Sequence, residues 1–455
     1  MAPKFGTSGL RGLVDELTDD LVSGYIRAFA ATCDTGGQLC VGRDVRPSSP
    51  GITRAVVQAA SKAGLTILEC GILPTPALAL EAQTRGVGAV MVTGSHIPAD
   101  RNGLKFYTVA GEITKDDETR ITAALGEAPK KDMAAPVFDT PASEQFVDRF
   151  RSAYGPTALS GRRVGVFTHS AAGRDLLLRI LADLGAETMD LGRSEEFIPV
   201  DTEAIDPETR QTFAAWARDH RLDAIASTDG DSDRPMLTDE NGMVIPGDIL
   251  GQITAKALDA EVVVTPISSN SGVTLLPKLR EVILTRIGSP YVIAGMAGAE
   301  GRVVGYEANG GFLLGFEASG PIGPIPPLRT RDSFLPIIAT LAQPGPLSAI
   351  VASQPARFTA AGRLQDVPVE ISARLIARLN SDKSERATFL HGLGKESGCD
   401  TTDGLRVTLG DAGIVHLRPS GNAPEFRLYT EADSPAAAQN LLDQGLLRLR
   451  SLVDQ

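Results

Sequence analysis

VMVTGSHIPADRNGLKF, residues 90–106, opens with apolar residues and then turns abruptly polar at Ser95-His96. With the preceding VGA it reads as a buried strand that ends in a loop rich in chemically useful groups. The same grammar returns twice. LDAIAS leads into TDGDSDR over residues 222–234, and RVVGY leads into EANGGF over residues 302–312. Working outward, QLCVG and TILECG read as strands around a helical PGITRAVVQAASKAGL. RRVGVFTH is a strand followed by the helix AGRDLLLRILADLGAE, and EVVVTP is another strand. TDDLVSGYIRAFAATC reads as a helix with an N-cap at Thr18 or Asp19. Strands alternating with helices predict parallel α/β sheets. The last ~95 residues change character: LRVTL, IVHLRP and FRLYTEA are short alternating strands, and a final helix opens at Ser434-Pro435. The expected fold is three consecutive α/β domains with mixed, mainly parallel sheets, then a smaller C-terminal α+β domain, around a central cleft. The expected boundaries are 1–145, 146–246, 247–360 and 361–455, with polar, proline-containing stretches near residues 127–146 and 341–357.

The 455 residues, 42% hydrophobic and 22% charged, have the profile of a soluble globular protein of three or four domains. A net charge of -12 with no basic stripe argues against a nucleic-acid partner. It leaves an anionic substrate open, because local arginines override a global sign. Four cysteines without a CxxC pair read as reduced thiols in a cytoplasmic protein. The start MAPKFGTSGLRG has no apolar signal region, and no run approaches a membrane span, so no membrane association is expected.

Each loop has its own chemistry. Asp229, Asp231 and Asp233 alternate with no basic residue between them, so they repel unless a cation sits among them. Hard oxygen donors suit Mg²⁺ or Ca²⁺. An EF-hand fails because Arg234 stands where the turn needs glycine; a solvated acidic turn is the plain alternative. In RPSGNAPEFR, residues 418–427, Arg418, Ser420, Gly421, Asn422 and Arg427 cluster around a turn. Arginine forks, a hydroxyl and backbone N–H groups suit phosphate, although a hairpin turn has the same composition. Glu307 and Asn309 lie on a glycine-rich loop, where a carboxylate can accept two vicinal sugar hydroxyls. Ser95 lies outside the G-x-S-x-G elbow, which argues against a hydrolase triad. With phosphate and Mg²⁺ nearby, a phosphoryl-carrying serine fits, with Lys105 and His96 as local candidates for charge stabilisation and proton handling. On its own, His96 reads equally as a packing histidine.

Together these motifs resemble one family. KFGTSGLRG, GRDVRPSS, TGSHIPADRNGLKF, DGDSDR, GYEANGG and RPSGNAPEFR occur in this order and look like the α-D-phosphohexomutase superfamily, the phosphomannomutase/phosphoglucomutase group. The resemblance implies a heart-shaped four-domain enzyme with phosphoserine at Ser95. It implies Mg²⁺ held by Asp229, Asp231, Asp233 and a Ser95 phosphate oxygen. Arg11, Lys105 and Arg234 would line the reaction centre, and Glu307 and Asn309 would contact the sugar. The 418–427 loop would hold the non-reacting phosphate. Two departures stand out. Gly311 occupies the position of the family's histidine, so this loop offers one fewer side chain, and Asn422-Ala423 replaces a Thr-Glu pair in the phosphate loop.

The expected reaction is reversible phosphate transfer between positions 6 and 1 of a hexose phosphate, through a hexose 1,6-bisphosphate that turns around in the cleft. The resemblance favours mannose 6-phosphate, with glucose and glucosamine phosphates as alternatives. Weak discrimination is expected where no polar group would be left unpaired by the wrong sugar. The expected assembly is a monomer or dimer. A Mg²⁺-dependent phosphatase and a noncatalytic sugar-phosphate binding protein are the rival classes.

Overall fold

The computed structural model describes residues 3–6, 9–127, 135–419 and 424–453. Four larger sheets with flanking helices follow one another along the chain. In the first, Gln38–Arg43 runs parallel to Thr66–Ile72 on one side and Gly88–Val92 on the other. In the second, Arg163–Phe167 lies between parallel Glu187–Leu191 and Ala224–Thr228. In the third, Val262–Pro266 lies between parallel Glu281–Thr285 and Val303–Tyr306. The fourth is antiparallel throughout, with the helix Pro435–Val453 against it.

Parallel pairing stops at the same place in each of the first three sheets, which makes them mixed and mainly parallel, as expected. Gly88–Val92 is followed at once by Arg101–Thr108, antiparallel beside it. Ala224–Thr228 is followed likewise by Pro235–Leu237, and Val303–Tyr306 by Phe312–Leu314. A parallel return needs a crossover of a dozen or more residues, and these connections are too short for one. The three polar loops are therefore hairpin connections at the carboxyl ends of central parallel strands. Their backbones are pinned on both sides.

Local signals account for the helices that hold these strands. Asp19–Thr32 is capped by the Thr18 hydroxyl, which accepts from Leu21 N. Pro207–His220 starts on proline behind the Asp206 cap. Thr75–Arg85 ends on Gly86, whose φ of 65° suits the left-handed cap.

The core is continuous across three sheets. One buried cluster runs from Cys40 and Met91 through Val164, Leu237 and Val304 to Leu347. A second fills the other face of the first sheet, from Leu10 to Ala124. The C-terminal sheet has its own core, from Leu364 to Leu449. Its edge strand Phe358–Gln365 crosses the boundary expected at residue 360. Among the described residues, no helix is long and apolar enough to cross a membrane.

Candidate active site

The three hairpin loops converge on one wall of a cleft of about 560 Å³, and the fourth sheet closes it opposite. The cleft is lined by Arg11, His96, Arg234, Glu307, Asn309 and Arg331 on one side, and by Arg418 and Arg427 on the other.

Ser95 lies just behind that wall and is 1% exposed, so the exposed look of Ser95-His96 in the sequence is misleading. Its φ of 55° is left-handed, an unusual conformation for a residue with a side chain. Interactions on both sides hold it there. Ser95 N donates to Thr93 Oγ1 at 2.8 Å, and the Ser95 carbonyl accepts from Arg46 Nη2 at 2.8 Å. The Arg46 guanidinium also donates to the carbonyls of Pro98 and Arg101, and it pairs with buried Asp44. A Cβ on Gly94 would stand 2.6 Å from Arg46 Cζ, so the clamp requires glycine there. Aimed inward, Ser95 Oγ donates to Asp229 Oδ2 at 2.6 Å, and it lies 3.3 Å from His96 Nδ1. Burial and the neighbouring Arg234 and Arg11 push the His96 imidazole down to about 2, so it is neutral at physiological pH.

The acidic loop is buried rather than solvated, which removes the surface-turn alternative. Asp229, Asp231 and Asp233 are all at most 1% exposed. Oxygens from all three come within 4.8 Å of one another, close enough to share a metal ion. Thr75 Oγ1 donates to Asp231 Oδ2 at 2.6 Å, fastening the loop to a helix of the first sheet. A Cβ on Gly230 would stand 2.6 Å from the Ser95 carbonyl oxygen, so the serine and acidic loops touch backbone to backbone. Lys105 Nζ donates to Asp231 Oδ2 and Asp233 Oδ2, both at 2.5 Å. Burial opposes the Asp231 charge, but Lys105 and Thr75 hold its carboxyl below the usual range. Asp229 shifts the other way, raised by burial and by repulsion from Asp231 and Asp233.

Arg331 was not among the residues singled out in the sequence. It comes from the strand Leu328–Asp332, beside Phe312–Leu314. Its Nη2 lies 2.6 Å from Asp233 Oδ2 and its Nη1 3.2 Å from Glu307 Oε2. It thus bridges the acidic loop and the glycine-rich loop. Glu307 and Asn309 are both nearly buried. Asn309 Oδ1 accepts from Gly311 N at 3.0 Å, holding the turn, and the Asn309 carbonyl accepts from Thr202 Oγ1 at 3.4 Å. Gly311 leaves no open space, because the position beside it is filled by Arg331.

Across the cleft, Arg418 Nε pairs with Asp403 Oδ2 at 3.0 Å, and Arg427 Nη2 with Glu425 Oε2 at 3.3 Å. Ser420, Gly421 and Asn422 lie outside the described residues.

Residues 2–132, 144–242 and 366–446 match the phosphoglucomutase/phosphomannomutase α/β/α domain I, α/β/α domain II and C-terminal domain, respectively. The chain belongs to the phosphoglucomutase/phosphomannomutase family. It is 45% identical to a phosphomannomutase of Sinorhizobium fredii (strain NBRC 101917 / NGR234), over 99% of both chains. It is 40% identical to a phosphomannomutase of Salmonella muenchen, covering 98% of this chain and 95% of that one. A phosphoglucosamine mutase of Thermobifida fusca is more distant, at 29% identity over 98% and 97%. The fold matches a phosphoglucomutase/phosphomannomutase family protein from Burkholderia thailandensis, with a TM-score of 0.79 and 21% identity over 98% and 97%. This chain is therefore an isomerase of the phosphohexomutase superfamily, one that transfers phosphate.

Proposed function

We propose that this phosphohexomutase interconverts the 6- and 1-phosphates of mannose, with Ser95 as the phosphoryl carrier and hexose 1,6-bisphosphate as the intermediate. The carrying observation is the hydrogen bond from Ser95 Oγ to Asp229 Oδ2, 2.6 Å, at one wall of a cleft whose opposite wall bears Arg418 and Arg427. One end of a sugar phosphate can meet the serine loop while the arginines hold the other.

The donor set suits Mg²⁺. Asp231 Oδ1 and Asp233 Oδ1 are buried with no hydrogen-bond partner, and three carboxylates are hard ligands. Asp229, Asp231, Asp233 and the phosphate of Ser95 would hold the ion. When bound it would neutralise charge on the phosphoryl oxygens. The chain's own groups do the rest. Lys105, Arg11 and Arg234 supply fixed positive charge around Ser95, where little solvent reorganisation is needed. Neutral His96, 3.3 Å from Ser95 Oγ, is a hydrogen-bond partner for the serine; the arginines beside it disfavour its taking up a proton. Glu307 and Asn309 receive sugar hydroxyls, and the loop at Arg418, Ser420, Gly421, Asn422 and Arg427 holds the idle phosphate. Burial of Ser95 favours transfer over hydrolysis, because water has poor access to it.

In this reading the domains are 1–145, 146–246, 247–360 and 361–455, with the last boundary shifted to just before the strand Phe358–Gln365, and the enzyme acts in the cytoplasm as a monomer or dimer. The two full-length relatives named phosphomannomutase support mannose as the main sugar. Glucose phosphate is expected to be turned over as well. Coupled assays with mannose, glucose and glucosamine 1-phosphates test the substrate, and peptide mass spectrometry tests phosphate on Ser95. A main activity on glucosamine phosphate would overturn the choice of sugar.

A further inference from the structure

Gly311 is a glycine for reasons of space. Its φ lies outside the left-handed region, so its backbone does not demand glycine. A Cβ there would stand 2.6 Å from Arg331 Cδ and 2.9 Å from Arg331 Cγ. The arginine cannot simply swing away, because its head is fixed at both nitrogens. Nη2 is paired with Asp233 at 2.6 Å and Nη1 with Glu307 at 3.2 Å, and the Arg331 side chain is 5% exposed. Positions 311 and 331 therefore compete for one volume in the wall of the cleft. In this chain the side chain comes from 331.

Charge gives that choice a consequence. Lys105 serves Asp231 and Asp233, and among the described residues Arg331 is the cation that pairs with Glu307. Without it, a buried carboxylate on the sugar loop would lose its counter-charge, and Asp233 would lose one of three, keeping Lys105 and the more distant Arg234. Such removal is costly in a dry site. Arg331 also lines the cleft, and its buried Nε has no partner within the protein.

We propose that Arg331 is the specificity-determining and positioning residue of the sugar end. It takes the volume that a side chain at 311 would fill, fixes Glu307 for the sugar hydroxyls, and draws charge from the acidic loop through Asp233. The role at the sugar rests on the mutase reading above; the link to Asp233 does not.

The test uses the full-length protein. Arg331→Met should lower kcat/KM for mannose 1-phosphate by roughly 100-fold, as expected for stranding a buried charge. KM should carry much of the loss. Arg331→Lys keeps a charge but cannot span both carboxylates, and it should recover only part of the activity. Mn²⁺ alone, titrated by electron paramagnetic resonance, supplies a readout without turnover. Arg331→Met should bind it about 5- to 10-fold more tightly, since a competing cation near the carboxylates is gone. General loosening of the fold would weaken binding instead.

Gly311→Ala should reproduce both effects by displacing the guanidinium. Placed on Arg331→Ala, the same substitution should change little further. Wild-type kcat/KM in Arg331→Met, weaker Mn²⁺ binding, or multiplying effects of the 311 and 331 substitutions would each overturn the proposal. If the wild-type protein turns over no hexose phosphate, the mutase reading fails. The Asp233 link then stands or falls on the Mn²⁺ titrations of the two single variants.

Discussion

Lys105 and Arg418 are both placed to act at the same cleft, yet they are held in different ways. Lys105 is 3% exposed and sits 2.5 Å from each of two carboxylates. Arg418 is 17% exposed and has one carboxylate, Asp403, at 3.0 Å. The difference extends to the regions that carry them. The serine, acidic and sugar loops are hairpins on strands that share one core. The C-terminal sheet packs around a core of its own and meets the rest through polar contacts. Ser271 is held by Glu431, Ile287 N donates to Asp403 at 2.9 Å, and Asn270 Nδ2 donates to the Arg357 carbonyl at 2.8 Å. Transfer chemistry needs charges fixed to a fraction of an ångström, and the proposed turn of a bisphosphate in the cleft would need a holder that can let go. A shared core on one side and a separate one on the other suit that division.

The largest expected effect lies on the fixed side. If Ser95 carries the phosphoryl group as proposed, Ser95→Ala should lower mutase turnover by at least roughly 10⁴-fold. Turnover with added hexose 1,6-bisphosphate measures it, and full activity would remove Ser95 from the reaction. Asp231→Asn should cost roughly 10²- to 10³-fold in kcat, the scale of losing one preorganised charge at a transition state. Chelation should likewise abolish activity but barely move the melting temperature, because Lys105, Arg331 and Thr75 already hold the acidic loop in place. A large fall in melting temperature on chelation would show the loop to depend on metal for its structure.

On the side of the C-terminal sheet the effect should be smaller and of another kind. If Arg418 holds the idle phosphate as proposed, Arg418→Ala should raise KM roughly 10- to 100-fold with a lesser fall in kcat. An unchanged KM would break the contrast between the two regions.

The smallest effect concerns the junction. Asp248 is buried behind Asn270, whose N–H it accepts at 2.9 Å. Burial first, and then Glu431, raise its carboxyl from 3.8 to about 6. A raised carboxyl pKa means that stability is fully present below 3.8 and is lost as pH rises through about 6. At pH 7 ionised Asp248 thus costs about 3 kcal/mol at most. Asp248→Asn should therefore unfold at higher denaturant than wild type at pH 7.5, and the gap should narrow by pH 4.5. A gap that widened on acidification would reverse the sign.

The sequence makes the three strand-to-loop transitions plain, because an apolar run followed by Ser95, Asp229 or Glu307 is a local pattern. The antiparallel return after each loop is also implicit in their shortness. Arg331 is invisible in the same terms. Between Thr330 and Asp332 it looks like the approach to the next helix, and only the pairing of Leu328–Asp332 with Phe312–Leu314 brings it to Glu307 and Asp233. Thr75 is similar: within PTPALALE it is a helix start, and its bond to Asp231 crosses 156 positions of chain. GRDVRPSS is recognisable as a motif, but nothing in its spacing says that Arg46 reaches inward to hold the carbonyl of Ser95. Contacts set by tertiary pairing leave no periodic trace.

The shared core also sets a timetable for making the protein. One face of the first sheet closes on residues between Leu10 and Ala124, so it can bury itself early. The opposite face, with Cys40 and Met91, belongs to a cluster completed only by residues as late as Leu347. At ribosomal speeds of about 5–20 residues per second, that face waits roughly 15–60 s for its partners. Through that interval a nascent chain presents a half-covered parallel sheet to the cell, the kind of surface that chaperones bind. The C-terminal sheet emerges last and needs none of the earlier chain to fill its own interior. Slow synthesis or a stall before residue 347 should therefore be more damaging to yield than a stall after it.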